Sequence, residues 1–159
     1  AEISYLKTIE VNPDFAEAHS NLGIILKNNG KLQDAELSYR KAIEIKPDYA
    51  NAHYNLGSIL SDLGNLKEAE LATRKAIELN PNLGEAYFNL GNFLKASSQL
   101  NEALYNYKKA QECKMDQKKC ITGIGRVLLD QGKHHQGIKN IREGDGSIIF
   151  DLNNGFSKI

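Results

Sequence analysis

Residues 20–48 read SNLGIILKNNGKLQDAELSYRKAIEIKPD, and the segment comes back twice along the chain. Its opening, SNLGIIL at Ser20, returns as YNLGSIL at Tyr54 and FNLGNFL at Phe88, each time 34 residues on. Its closing Lys-Pro-Asp at 46–48 has counterparts in Asn-Pro-Asp at 12–14 and Asn-Pro-Asn at 80–82. Pro13, Pro47 and Pro81 are the 3 prolines of the chain, and they keep the same step. So do Ala35, Ala69 and Ala103, and again Ala42, Ala76 and Ala110. Unrelated residue types sharing one period mark a repeated supersecondary unit, which buries its apolar face by stacking on its neighbours.

Within one copy, Ala18, Leu22 and Leu26 fall at i, i+4 and i+8, one face of a helix, and Gly30 supplies a left-handed stop. A second helix begins near Leu32, with Ala35, Tyr39, Ala42 and Ile43 on one face. Pro47 ends it, because proline disfavours helical geometry in the residue before it. Gly23 and Ala35, Gly57 and Ala69, and Gly91 and Ala103 stand where the two helices of each copy are expected to cross closely.

Leu22-Gly23, Ala35, Tyr39, Ala42 and Pro47, with their copies, resemble the tetratricopeptide repeat pattern. On that resemblance, full repeats run over 16–49, 50–83 and 84–117. Residues 1–15 read as the second helix of a truncated repeat, so the chain is expected to be an excerpt, with Ala1, Tyr5 and Thr8 uncovered. Residues 118–144 read as a degenerate helix pair: Ile124, Gly125 and Leu128 fit, while Gly137, Gly144 and Ile149 replace the expected Ala, Ala and Pro. The wording is similar to the array preceding the catalytic domain of O-linked N-acetylglucosamine transferases, and to bacterial proteins with such arrays. The resemblance implies an all-α fold, a right-handed superhelical solenoid of antiparallel helix pairs whose first helices line a concave groove.

Residues 145–159 break the pattern. Ile148, Ile149, Phe150 and Leu152 precede Asn154-Gly155 and then Phe156, which predicts a short strand, a tight turn and a strand start. The segment reads either as a non-helical apolar tail over the last helix pair or as the first element of a following domain.

Composition closes off several function classes. Lys+Arg 20 against Asp+Glu 20 gives a formal net charge of zero, so whole-chain attraction to nucleic acid or an anionic membrane has no support. No apolar run reaches the length of a membrane span or signal-peptide core. Two cysteines make no disulfide scaffold and point to a reducing compartment, hence a cytoplasmic location. Cys113 and Cys120 replace repeat positions held by Ile45 and Ala52; buried small hydrophobes and a pair closed under oxidation are the two readings. The charge is uneven, with residues 1–83 net acidic and 84–159 net basic.

Catalytic motifs are not found: there is no glycine-rich phosphate loop and no nucleophile elbow. His19 and His53 share a repeat position with Tyr87, as packing rings do. His134 and His135 are adjacent, so they point about 100° apart on a helix. The expectation is no enzyme, no cofactor and no metal.

The informative face lies on the first helices. Taking Leu22 as the core direction, Glu17, Asn21, Ile24 and Asn28 fall away from the core. Their counterparts are Asn51, Asn55, Ser58 and Asp62, then Glu85, Asn89, Asn92 and Ala96, then Lys119, Gly123, Arg126 and Asp130. Asn21, Asn55 and Asn89 form a ladder with one rung per repeat. A primary amide donates and accepts, so it can pair with the backbone of an extended peptide whatever its side chains. The transferase resemblance implies the same backbone-gripping role. Tyr54 and Phe88 precede two rungs and either anchor apolar ligand side chains or pack between helices. The carboxylate clamp known in chaperone-binding members of the family is missing, since Ser20, Ile24, Glu85 and Asn89 stand at its positions.

These readings converge on a non-catalytic scaffold binding a protein or an extended peptide, with no nucleic acid and no membrane as partner, and with truncated repeat edges inviting end-to-end self-association. The rival reading is the accessory arm of a larger glycosyltransferase- or oxygenase-type enzyme.

Overall fold

In the structure, a computed structural model, residues 2–145, 149–151 and 155–157 are described. Nine helices occupy the described residues: α1 (Glu2–Val11), α2 (Ala16–Asn28), α3 (Leu32–Ile45), α4 (Ala50–Asp62), α5 (Leu66–Leu79), α6 (Gly84–Ala96), α7 (Leu100–Glu112), α8 (Gln117–Asp130) and α9 (His134–Asp145). Two three-residue strands follow, β1 (Ile149–Asp151) and β2 (Gly155–Ser157). They pair antiparallel, with Phe150 opposite Phe156. Asn154 and the side chains beyond Asp145, on which the apolar-tail reading depends, lie outside the described residues.

The fold class is all-α, built from antiparallel helix pairs in two compact units, Ala1–Asn82 and Leu83–Ile159. In the first unit α2 pairs with α3 and α4 with α5, α3 packs on α4, and α1 lies against α2. α1 buries none of its residues, and its Ile3 is 70% exposed. In the second unit α6 pairs with α7 and α8 with α9, and α7 packs on α8.

Each crossing is set by a side chain pressed on bare backbone. A Cβ placed on Gly23 would lie 2.6 Å from the Tyr39 ring, and one on Gly91 would lie 2.9 Å from the Tyr107 ring. At Gly57 the neighbours are the Thr73 hydroxyl and the Ala69 carbonyl oxygen. Overpacking at such a contact costs about 1–3 kcal/mol, which explains the glycines. Ala35, Ala42, Ala69, Ala76, Ala103 and Ala110 are all fully buried around these contacts.

The pair α8–α9 departs from the other copies in a specific way. Gly137 and Gly125 face each other: a Cβ on either would lie 2.8 Å from the other's carbonyl oxygen. The glycines standing in place of alanine thus permit a closer crossing there. α9 runs to Asp145, one residue past the expected end at 144, where the Thr122 hydroxyl donates to the Asp145 carboxylate at 2.8 Å.

Within each pair the first helix ends on a left-handed residue. Gly30, Gly64 and Gly132 have φ of 76°, 84° and 78°. The next residue closes the turn, Lys31 N–H donating to the Leu26 carbonyl at 2.9 Å and Asn65 and Lys133 doing the same to Leu60 and Leu128 at 2.8 Å. In the third copy a serine takes this role: Ser98 has φ 61°, and Gln99 closes onto Leu94 at 2.8 Å. Second helices end differently according to proline. Before Pro47, Lys46 is extended, with φ −132°. At Met115, where no proline stands, the N–H donates to Ala110 at 3.1 Å and Lys114 turns left-handed with φ 61°.

A side chain in the left-handed region costs roughly 1–2 kcal/mol, against about 0.5–1 kcal/mol of extra entropy lost on ordering a glycine. Ser98→Gly is therefore expected to stabilise the protein by about 0.5–1 kcal/mol. Gly30→Ala should destabilise it similarly, since nothing lies within 4 Å of the added methyl and only backbone strain is tested. Urea denaturation of both variants beside the parent chain checks the pair of signs.

Candidate functional site

In the first unit the outward faces of the neighbouring first helices, α2 and α4, carry Asn21 and Asn55. Both are half-buried. No hydrogen bond ties either amide to another side chain or backbone group among the described residues. Asn28 and Asn51 are exposed on the same helices. Other expected residues are already engaged. Glu17 pairs with Lys46 at 3.1 Å. A backbone N–H and the Lys46 ammonium hold its carboxyl below the usual carboxylate range. Ser58 accepts from Lys27 at 2.8 Å, and the same ammonium meets Asp62 at 2.9 Å, tying the last turn of α2 to that of α4. Tyr54 is half-buried.

The second unit presents the same register positions with different chemistry. Asn89, on α6, is half-buried and its amide likewise bonds to no described residue. Asn92 is exposed and accepts from the Tyr107 hydroxyl at 2.7 Å. Phe88 is half-buried and packs its ring on Tyr107, centroids 5.4 Å apart and tilted 59°. On α8, Gly123 stands at the rung position. A Cβ there would lie 2.9 Å from the Tyr107 ring, as one on Gly91 would, so the ring lies between the backbones of α6 and α8.

Beside that ring opens a cavity of about 380 Å³, lined among others by Asn92, Tyr107, Lys119, Thr122 and Arg126. Arg126, Lys118 and Lys119 have no ion pair and no side-chain hydrogen bond among the described residues. Lys95, also on the wall, pairs with Asp130 at 3.3 Å. Lys27 and Lys95 were not singled out from the sequence, although they stand two repeat periods apart, as Asp62 and Asp130 do.

A second periodic face was missed as well. Ile3, Leu37, Leu71 and Tyr105 keep the 34-residue step on second helices or their counterpart, and are 70%, 66%, 68% and 59% exposed. Their common spacing was the available signal.

The remaining candidates have structural partners. His19 and His53 each place Nε2 at 2.8 and 2.9 Å from the carbonyl oxygens of Pro13 and Pro47. A carbonyl only accepts, so these nitrogens carry the proton and staple each first helix to the turn before it. Cys120 is fully buried, its Sγ 3.4 Å from the Met115 sulfur, and burial pushes its thiol up to about 11. Cys113, at the end of α7, is half-buried, and the two cysteines form no disulfide. Among the described residues no group of three or more His, Cys, Asp or Glu could hold a metal ion. No helix there is long and apolar enough to cross a membrane.

With this geometry in hand, comparison with known proteins is consistent throughout. Models described as TPR repeat and tetratricopeptide repeat match residues 25–64, 50–83, and 4–36 with 72–105, together running without a gap from residue 4 to 105. No curated protein matches the chain. Among solved structures, a crystal structure of MamA is similar, with 24% identity and a TM-score of 0.82 over 91% of this chain and 85% of that one. MamA from Desulfovibrio magneticus RS-1 gives 19% and 0.81 over 91% and 82%. PilF of Pseudomonas aeruginosa gives 20% and 0.80 over 91% and 68%. At these identities the likeness is one of fold.

Burial pushes both Tyr39 and Tyr107 up to about 12, with the Arg126 charge opposing the shift at Tyr107. The folded state thus holds these phenol protons more tightly than the unfolded chain. Stability is full below pH 10 and is expected to fall between pH 10 and 12, by on the order of 2 kcal/mol per ring. An absorbance titration at 295 nm should show Tyr39 and Tyr107 ionising late, with Tyr87, also raised by burial, later than an exposed tyrosine. Tyr39→Phe and Tyr107→Phe should each remove one of them and flatten the pH dependence of urea unfolding.

Proposed function

The chain belongs to the tetratricopeptide repeat family, and from that premise we propose that it grips extended peptide through Asn21, Asn55 and Asn89. Proteins of this kind are generally non-catalytic interaction scaffolds binding proteins or peptides. The observation that carries the finer reading is the state of the three amides. They recur at one register position, are half-buried, and bond to no other described residue. A half-buried amide with unused donors and acceptors forgoes part of its hydration without compensation, and a peptide backbone supplies both complements.

Around them the other polar residues are held in place. Lys46 holds Glu17, Lys27 holds Ser58 and Tyr107 holds Asn92. Within each unit these contacts hold the residues beside the rungs in place and leave the amides themselves adaptable. Backbone recognition is indifferent to ligand side chains, so selectivity must come from residues beside the rungs. Asn28 and Asn51 are placed to contribute further amides.

Each rung contributes a net of about 0.5–1.5 kcal/mol, the range for a neutral hydrogen bond. Peptides recovered on the protein from a random dodecapeptide display library provide the ligand. Replacing Asn21, Asn55 and Asn89 together with Ala is expected to weaken such a peptide at least tenfold, with helix content and melting temperature unchanged. Equal affinity in a fluorescence anisotropy titration, or a triple variant that unfolds, would make the asparagines structural and sink the proposal.

A further inference from the structure

The two units carry the same repeat positions two periods apart, and the substitutions between them are directional. On α4 the outward face reads Asn51, Asn55 and Ser58; on α8 the same positions read Lys119, Gly123 and Arg126. Two neutral polar groups become cations, and the rung between them loses its side chain. The outcome is spatial as well as electrostatic. Gly123 admits the Tyr107 ring, and the cavity of about 380 Å³ opens beside it.

Charge within the two units is balanced differently. In the first, Lys27 meets Asp62 and Ser58 together, and Glu17 meets Lys46. In the second, Asp130 is taken by Lys95 at 3.3 Å, and Asp145, on the cavity wall, accepts from Thr122. That leaves Lys118, Lys119 and Arg126 on the wall with no ion pair among the described residues. Asn92 gives its oxygen to Tyr107, so its NH₂ hydrogens remain as donors on the same wall. Lys95, Lys118, Lys119 and Arg126 thus face one another across a cavity whose described wall carries a single carboxylate, that of Asp145, so the positive charge is in excess.

We propose that this cavity seats the carboxylate of an aspartate or glutamate in a peptide ligand, making acidic side chains the specificity element of the second unit. The proposal rests on the peptide-binding reading above and adds what that reading leaves open. A guanidinium is suited to a carboxylate because its planar fork meets two oxygens at once, and a neighbouring ammonium adds a point charge. Nucleic acid is disfavoured on two grounds. The chain has zero formal net charge. The cavity also offers little to stack a base on, since Tyr107 is buried and Phe88 is half-buried with its ring against Tyr107.

The test uses the whole chain and the random dodecapeptide library. Recovered peptides are expected to be enriched in Asp and Glu. The Lys119→Ala, Arg126→Ala double variant should bind a recovered acidic peptide at least tenfold more weakly, with unchanged helix content. Changing the peptide's Glu to Gln should cost the same on the parent chain and little more on the double variant. Affinity should also fall as salt rises from 50 to 300 mM. Arg126→Lys should retain part of the affinity, which separates lost charge from disturbed packing. Recovered peptides without acidic enrichment, or an acidic peptide bound equally by the double variant, would overturn the proposal. If such peptides still lose affinity with the three asparagines, the groove reading stands alone. A library yielding no binder overturns both. A dT12 oligonucleotide that binds in an Arg126-dependent way when no acidic peptide does would overturn it in favour of nucleic acid.

Discussion

The tyrosine ring lying on glycine backbone is the contact from which the rest of the molecule follows. Tyr39 sits against Gly23, and Tyr107 against both Gly91 and Gly123, each closer than a methyl group would tolerate. Such a contact sets how near two helices approach and how they are rotated about their own axes. The rotation decides which residues of a first helix turn outward. Leu22, Leu56 and Leu90 then fall inside and are buried, while Asn21, Asn55 and Asn89, one residue earlier, remain half-accessible. The outward face is in this sense a by-product of a packing rule one residue away.

Packing by near-identical copies leaves the outward positions at liberty to change. Asn51, Asn55 and Ser58 differ in every case from Lys119, Gly123 and Arg126, and their own pair repacks with them, Gly137 and Gly144 standing where Ala69 and Ala76 do, while the adjoining pairs keep Tyr39 and Tyr107, and Ala42 and Ala110, identical. Substitution on the outward side costs little stability because those groups stay solvated in the unfolded chain and largely so in the folded one. Chemistry can thus be written on α8 while the adjoining pair α6–α7 keeps the ring and alanine contacts of α2–α3. Clamps between neighbouring first helices, Lys27 with Asp62 and Lys95 with Asp130, persist through the change at the same positions.

What could be read from the sequence follows how local the governing interaction is. Helix ends at Gly30, Gly64 and Gly132 were legible because glycine announces the left-handed conformation. Ser98 takes the same conformation with nothing in its identity to announce it; its position in the repeat was the only sign. Helical geometry at 100° per residue placed the asparagine rungs on one face. The engagement of Glu17, Ser58 and Asn92 was not legible, because their partners Lys46, Lys27 and Tyr107 lie 29, 31 and 15 residues away. The cavity depended on a side chain being absent at Gly123, and period matching records such a change as a mismatch rather than as space.

Thr73 shows the converse case, a change written into the core. It occupies the position of Tyr39 and Tyr107, is fully buried, and its hydroxyl has no partner among the described residues. A buried, unpaired hydroxyl costs about 1–3 kcal/mol. In the ring's place the Thr73 hydroxyl and the Ala69 carbonyl oxygen press on the Gly57 backbone. The pair α4–α5 therefore crosses over a smaller, polar contact while its flanking alanines, Ala69 and Ala76, remain fully buried. Asn55 belongs to this pair, and its outward placement survives the loss of the ring. A side chain still lies on glycine backbone at this crossing, so the contact that sets the rotation persists with a smaller partner.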